Sequence, residues 1–320
     1  MKIYTFIFLI LLLISFVYLK LAKRFEITDT PDQRSSHSKI TISGGGIIFP
    51  IAILLFFFLN DYQYPYFVLG VFLISVVSFL DDIYTLSSKI RFPFHFLAIF
   101  LVLYQMSFSF VPIYMHVFFL IVGVGIVNMF NFMDGINGIT GIYSLVVLSG
   151  FFFINKNELL VNQDLIIFSA ISLVVFGFYN FRRKALVFAG DIGSIVIGML
   201  IFFIGFIFTI NLSSPLILLL TIVYGADAGF TLLYRKFFTN ENIFDPHRHH
   251  IYQKIVDVYK ISHLKISFIY GILQLIINYI VFKTYGSQLR FQLIVFFGLI
   301  IAFGCTYFLI FRIIKNRITR

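Results

Sequence analysis

The feature that most constrains this chain is the recurrence of long apolar runs. Eleven stretches, at 3–21, 44–59, 66–80, 92–107, 114–130, 138–154, 165–181, 193–211, 215–234, 263–282 and 291–311, approach or reach the length that carries a helix across a bilayer. Lipid offers no hydrogen bonds, so a segment inside it must satisfy its own backbone, and a helix does so. The pattern predicts an all-α polytopic membrane protein with about eleven transmembrane helices, forming a single domain over 1–320. Composition agrees: 60% of residues are hydrophobic and 12% charged, about half the charge that a soluble domain spreads over its surface. The first run lacks a small-residue cleavage site and is followed by Lys20, Lys23 and Arg24, which makes it an uncleaved span. A single cysteine, Cys305, excludes a disulfide framework or a thiolate metal site, and is expected in the core.

Eleven spans put alternate connections on opposite faces, and 20 of the 24 basic residues fall on connections of one parity. Basic loops stay in the cytosol, so the N-terminus is expected outside and the C-terminus inside. The net charge of +10 is then mostly a topology signal, and nucleic acid is not expected as a partner. Of the 14 acidic residues, only Asp61, Glu158 and Asp164 fall on the sparse face. Transporters gather ionisable groups near the membrane midplane; here they collect in short loops at one surface, which favours chemistry on a cytosolic substrate. A transporter or flippase of an anionic lipid-linked substrate is the competing reading, and it predicts internal repeats, of which none is clear.

Four inner loops carry the chemistry. The second ends an apolar run with Asp81-Asp82, adjacent carboxylates best tolerated opposite a cation or hydrogen-bond donors. The third places Asn128, Asn131 and Asp134 every third residue, hence on one helical face, before Gly135 and Gly138. The fourth reads Phe188-Ala189-Gly190-Asp191-Ile192-Gly193-Ser194, a carboxylate beside the N–H groups that open a helix, where metal and phosphate can meet. The fifth holds His247-Arg248-His249-His250-Ile251-Tyr252-Gln253, able to grip phosphate oxygens. The first loop adds Arg34 and His37 ahead of Gly44-Gly45-Gly46, which reads equally as a hinge or as a close-packing site. Asp227, within a span, is either functional or half of a buried structural pair.

In this order the motifs resemble the polyprenyl-phosphate N-acetylhexosamine-1-phosphate transferase family (glycosyltransferase family 4), most closely the branch that initiates O-antigen or capsule repeat units. The resemblance implies a multi-pass enzyme of the bacterial inner membrane. It would pass an N-acetylhexosamine-1-phosphate from a UDP-N-acetylhexosamine to undecaprenyl phosphate and release UMP, with Mg²⁺ as cofactor, Mn²⁺ as a substitute, and a homodimer as the one protein partner considered. Residue by residue, it implies Asp191 as Mg²⁺ ligand with Asn131 beside it and Asp134 in the same pocket. Asp81 and Asp82 would handle the lipid phosphate and metal environment, and His247, Arg248 and His250 the developing negative charge. Phe188 would stack on uracil, and Arg34, His37, Asn128, Gly190, Gly193 and Ser194 would complete the substrate contacts.

Overall fold

A computed structural model describes residues 2–31, 39–106, 112–239 and 248–318. All eleven apolar runs are helical. They form α1 (Lys2–Arg24), α2 (Ile48–Leu59), α3 (Pro65–Tyr84), α4 (Ser88–Gln105), α5 (Ile113–Phe132), α6 (Ile139–Glu158), α7 (Gln163–Asn180), α8 (Gly190–Leu212), α9 (Ile222–Phe238), α11 (His263–Thr284) and α12 (Leu289–Ile318), with a short amphipathic helix α10 (Ile251–Tyr259) that the apolar runs do not signal. Nine helical segments among the described residues are long and apolar enough to cross a membrane. The segment Gly45–Leu59 is apolar but shorter, and α4 opens with Lys89 and Arg91.

Helix α8 is apolar on every side, and a helix of that kind belongs in the middle of a bundle. It is buried along nearly its whole length and packs against α2, α3, α5 and α6. Close approach in lipid depends on small residues. A side chain at Gly198 would press into the α5 backbone at Val127, and one at Gly46 would overlap the backbone of Gly193. The triple glycine is therefore a packing site: Gly46 and Gly193 are the contact at which the start of α2 meets α8. By contrast α12 packs little, and Cys305 is exposed on it rather than buried in the core.

The run over 215–234 is not one α-helix. Residues Pro215–Thr221 form a 3₁₀ turn, and α9 restarts at Ile222. The break leaves backbone groups open within the apolar layer, and Gln274 of α11 closes it. Its Nε2 donates to Leu219 O, while its Oε1 accepts from Val223 N–H and from Tyr143 Oη, 2.7 Å away. Tyr143 in turn stacks flat on Tyr224, with ring centroids 3.6 Å apart. Gln274→Leu removes these partners at similar size and is expected to cost about 1–3 kcal/mol, the penalty of stranded buried groups; a lowered unfolding temperature in detergent is the measure.

Connections of one parity gather at one end of the bundle, as the alternation of spans requires. A two-stranded antiparallel pair, β1 (Thr28–Asp29) and β2 (Thr41–Ile42), lies there, and Ile42 also bridges to Val187. At the opposite end Asn162, Asn60, Gln63 and Tyr64 share hydrogen bonds.

Candidate active site

At the loop-rich end a cavity of about 490 Å³ collects residues from the first, second, third, fourth and fifth connections of that parity. Its wall includes Asp81, Asp82, Asn131, Asp134, Phe188, Gly190, Asp191 and Ser194, all expected from sequence. Thr85, in the left-handed region, ends α3 just after the acidic pair, with its N–H on Asp81 O, so both carboxylates ride on the last helical turn.

The two carboxylates then part. Asp82 turns to the start of α8, where its Oδ1 accepts from Asp191 N–H (2.8 Å) and its Oδ2 from Ile192 N–H (3.2 Å). This corrects one expectation: the first amides of α8, read as a phosphate cradle, are taken by the chain's own carboxylate. It also explains Gly190. With φ at +73° and a would-be Cβ 2.4 Å from Asp82 Oδ2, only glycine leaves room for that contact. Asp81 accepts from Leu86 N–H through Oδ1, and its Oδ2 meets Arg91 Nη1. The same Arg91 nitrogen lies 2.8 Å from Asp191 Oδ2. A single guanidinium nitrogen from α4 thus joins carboxylates of α3 and α8.

Across the cavity, Asp134 lies just beyond α5, and Thr140 Oγ1 donates to its Oδ1 at 2.6 Å. Burial pushes this carboxyl up to about 6, against the pull of that hydrogen bond. Phe188 is fixed by its backbone, with its N–H on Ile42 O and its carbonyl accepting from Gly45 N–H. Ser194 Oγ bonds back to Gly190 O.

Other candidates lie elsewhere. Asn128 donates to Val124 O, one turn earlier on α5, and is absent from the cavity wall, because that hydrogen bond folds its side chain onto its own helix. Gly193 serves packing against Gly46 rather than the pocket. Arg248 forms a bidentate pair with Asp257, at 2.7 and 2.8 Å, off the cavity wall. His250 is buried with its Nδ1 3.3 Å from Asp227 Oδ1. The same carboxylate accepts from Ile251 N–H, Tyr252 N–H and Tyr270 Oη, so Asp227 caps α10 and holds the fifth loop. Of the two readings of Asp227, the structure shows the buried structural one. Arg34, His37 and His247 fall outside the described residues.

Further residues support the cavity. Arg91, which no motif includes, bonds two of its wall carboxylates. Asn180 accepts from Gly138 N–H and donates to Val187 O, and Asn137 donates to Arg182 O, which ties the third loop to the fourth. Tyr252 Oη donates to Phe132 O and sits where a side chain at Gly135 would be, which ties the third to the fifth. Beside it Gln253 lines the cavity with a buried Oε1 that has no hydrogen-bond partner among the described residues, an acceptor open to a ligand N–H or O–H.

The wall offers carboxylate, amide and hydroxyl oxygens, the donor set of a hard divalent cation. Among the described residues no three acidic, histidine or cysteine side chains form a ready-made cage. A cation such as Mg²⁺ is commonly held by one or two carboxylates and by substrate phosphates; Asp191, Asp81 and Asn131 are the wall residues that could hold one.

A sequence model of glycosyl transferase family 4 matches residues 64–209, the stretch from α3 to α8 that carries Asp81, Asp82, Asn131, Asp134 and Asp191. The chain is 27% identical over 271 residues to an undecaprenyl-phosphate alpha-N-acetylglucosaminyl 1-phosphate transferase of Thermotoga maritima, covering 77% of this chain and 80% of that protein. It is 27% identical over 283 residues to a probable undecaprenyl-phosphate N-acetylglucosaminyl 1-phosphate transferase of Bacillus subtilis, covering 80% and 76%. A phospho-N-acetylmuramoyl-pentapeptide-transferase of Dictyoglomus turgidum is 29% identical over 202 residues, 57% of this chain and 62% of that one. The acidic residues on one cavity thus fall in the stretch that matches glycosyl transferase family 4, and along most of its length the chain is similar to undecaprenyl-phosphate N-acetylglucosaminyl 1-phosphate transferases.

Proposed function

We propose that this protein transfers an N-acetylhexosamine-1-phosphate from a UDP-sugar to undecaprenyl phosphate and releases UMP, as the first membrane step of an O-antigen, capsule or related envelope polysaccharide. The observation that carries this reading is the convergence of Asp81, Asp82 and Asp191 on one cavity at the end of an apolar bundle. A lipid-borne phosphate can reach that end from the bilayer, and a nucleotide from the aqueous side. The names of the relatives support the acceptor.

The chemistry asks little covalent work of the protein. A phosphate monoester with a second pKa near ~6 is largely dianionic at neutral pH, so it needs no strong base. Its oxygen bonds to the β-phosphorus of the donor as the bond to the UMP oxygen breaks, and UMP departs with the electron pair. Bound there, a divalent cation would neutralise phosphate charge and steady the leaving group. The protein supplies placement. Asp191 and Asp81 hold the cationic side of the cavity, Phe188 offers a ring face for the base, and Gln253 offers an acceptor to the sugar or its acetamido N–H. Asp134, whose carboxyl burial pushes up to about 6, adds acceptor oxygens opposite.

Purified protein with undecaprenyl phosphate and a panel of UDP-N-acetylhexosamines is expected to form UMP with one or two of them, to lose activity in EDTA, and to recover with Mg²⁺ or Mn²⁺. Release of UDP in place of UMP, or full activity in chelator, contradicts the reading. Orientation is tested separately: with Cys305 replaced by Ser, a cysteine at Asn157, in the last turn of α6, is expected to label from outside intact cells.

A further inference from the structure

Arg91 lies outside every motif that marks this site, yet it occupies the electrostatic centre of it. Its Nη1 touches carboxylate oxygens of Asp81 and Asp191, which come from different helices, and its side chain is only about a third exposed. Asp82 stands on the α8 amides beside Asp191, so two carboxylates meet one guanidinium with a third carboxylate close by. That nitrogen fills the point at which a cation shared by Asp81 and Asp191 would sit. Two positive groups cannot hold the same two oxygens at that range without strong repulsion.

We propose that Arg91 is a resident counter-cation: it holds Asp81 and Asp191 together while no divalent ion is bound, and it is displaced from them when the ion enters. The inference rests on the divalent-cation reading above. Arg91 is thus a positioning residue and an internal competitor. It keeps the acidic cluster from flying apart, and it sets how much free metal is needed to load the site. Once displaced, its guanidinium charge becomes available to phosphate oxygens.

The test compares the full-length parent with Arg91→Gln and Arg91→Lys in detergent, without substrates. Two quantities are read: the unfolding temperature across a Mg²⁺ titration, and bound Mn²⁺ counted by the loss of its free-ion electron paramagnetic resonance signal. Arg91→Gln is expected to unfold at a lower temperature than the parent in EDTA and to regain most of the deficit at saturating Mg²⁺. It should bind Mn²⁺ more tightly by on the order of tenfold, the usual scale for removing a charged neighbour at a few ångströms. Arg91→Lys, which keeps the charge with a different head, is expected in between, and it carries the test if Arg91→Gln does not accumulate. An equal deficit with and without Mg²⁺, or weaker Mn²⁺ binding in Arg91→Gln, overturns the exchange and makes Arg91 a static bridge. No metal binding by the parent overturns it too. UMP formation by the same preparations, with and without EDTA, tells whether the transferase reading fails with it.

Discussion

Asp191→Asn is expected to lower UMP formation by about a hundredfold or more, because electrostatic groups that stabilise a transferring centre are commonly worth ~3 kcal/mol. The amide keeps the shape of the carboxylate, and α8 loses none of its amide partners, since those belong to Asp82. The stability of the metal-free protein should not fall. Asp191 shares one guanidinium nitrogen with Asp81 and stands beside Asp82, so removing its charge relieves repulsion while giving up an ion pair that is partly exposed and hence weak. Activity and unfolding temperature are therefore expected to move apart, as is common where a site is built for function rather than stability. Asp82→Asn is the contrast. Its two oxygens each accept a backbone N–H of α8, and an amide can serve only one of them, so this variant should lose both activity and several degrees of unfolding temperature. Near-parental UMP formation by Asp191→Asn would show that the site has been misplaced.

The second large effect is expected at Asp227, which does not line the acidic cavity. Its fully buried carboxylate serves Ile251 N–H at 3.0 Å, Tyr252 N–H at 3.3 Å and Tyr270 Oη at 2.6 Å, with Thr231 and His250 against the same oxygens. Asp227→Ala strands these donors in a dry interior, which typically costs about 3–5 kcal/mol when a buried charged partner is removed. Poor accumulation or a steep drop in unfolding temperature is the expected outcome. Surviving protein should exchange the amide protons of Ile251 and Tyr252 quickly and show a raised KM for the donor, because Tyr252 and Gln253 lose their seat beside Gly135. Tyr270→Phe removes one of these partners and should reproduce a small part of the effect. If Asp227→Ala unfolds like the parent, the fifth loop is held by something else.

The difference between these two aspartates shows what could and could not be read along the chain. The eleven apolar runs and their parity located the bundle and put the right loops at one end, because span length and side-chain polarity are local properties. Asp81, Asp82, Asn131, Asp134 and Asp191 were legible as well, since carboxylates and amides at the ends of apolar helices have few other reasons to be there. What each does was less legible. Asp82 was expected to face phosphate or metal and instead caps α8, a contact between residues more than a hundred positions apart. His250 and Arg248 look like phosphate ligands, yet their partners, Asp227 and Asp257, are brought to them only by the folding of α9 and α10. Arg91 read as a topology charge at a helix start, and only the approach of α3, α4 and α8 makes it the centre of the cluster. The 3₁₀ break before α9 was hidden because Gln274, which closes it, comes from another span.

The short backbone seam between the first and fourth loops has a consequence for what this architecture can vary. Residues 42–46 and 187–189 are laced by three hydrogen bonds, two of them to the N–H and carbonyl of Phe188. Ordering such a segment costs about 1–2 kcal/mol per residue, and here that ordering is complete before any ligand arrives. The side chain at 188 is thus a replaceable fitting on a fixed mount: exchanging the ring alters which flat group the cavity accepts, while the wall that carries it keeps its form.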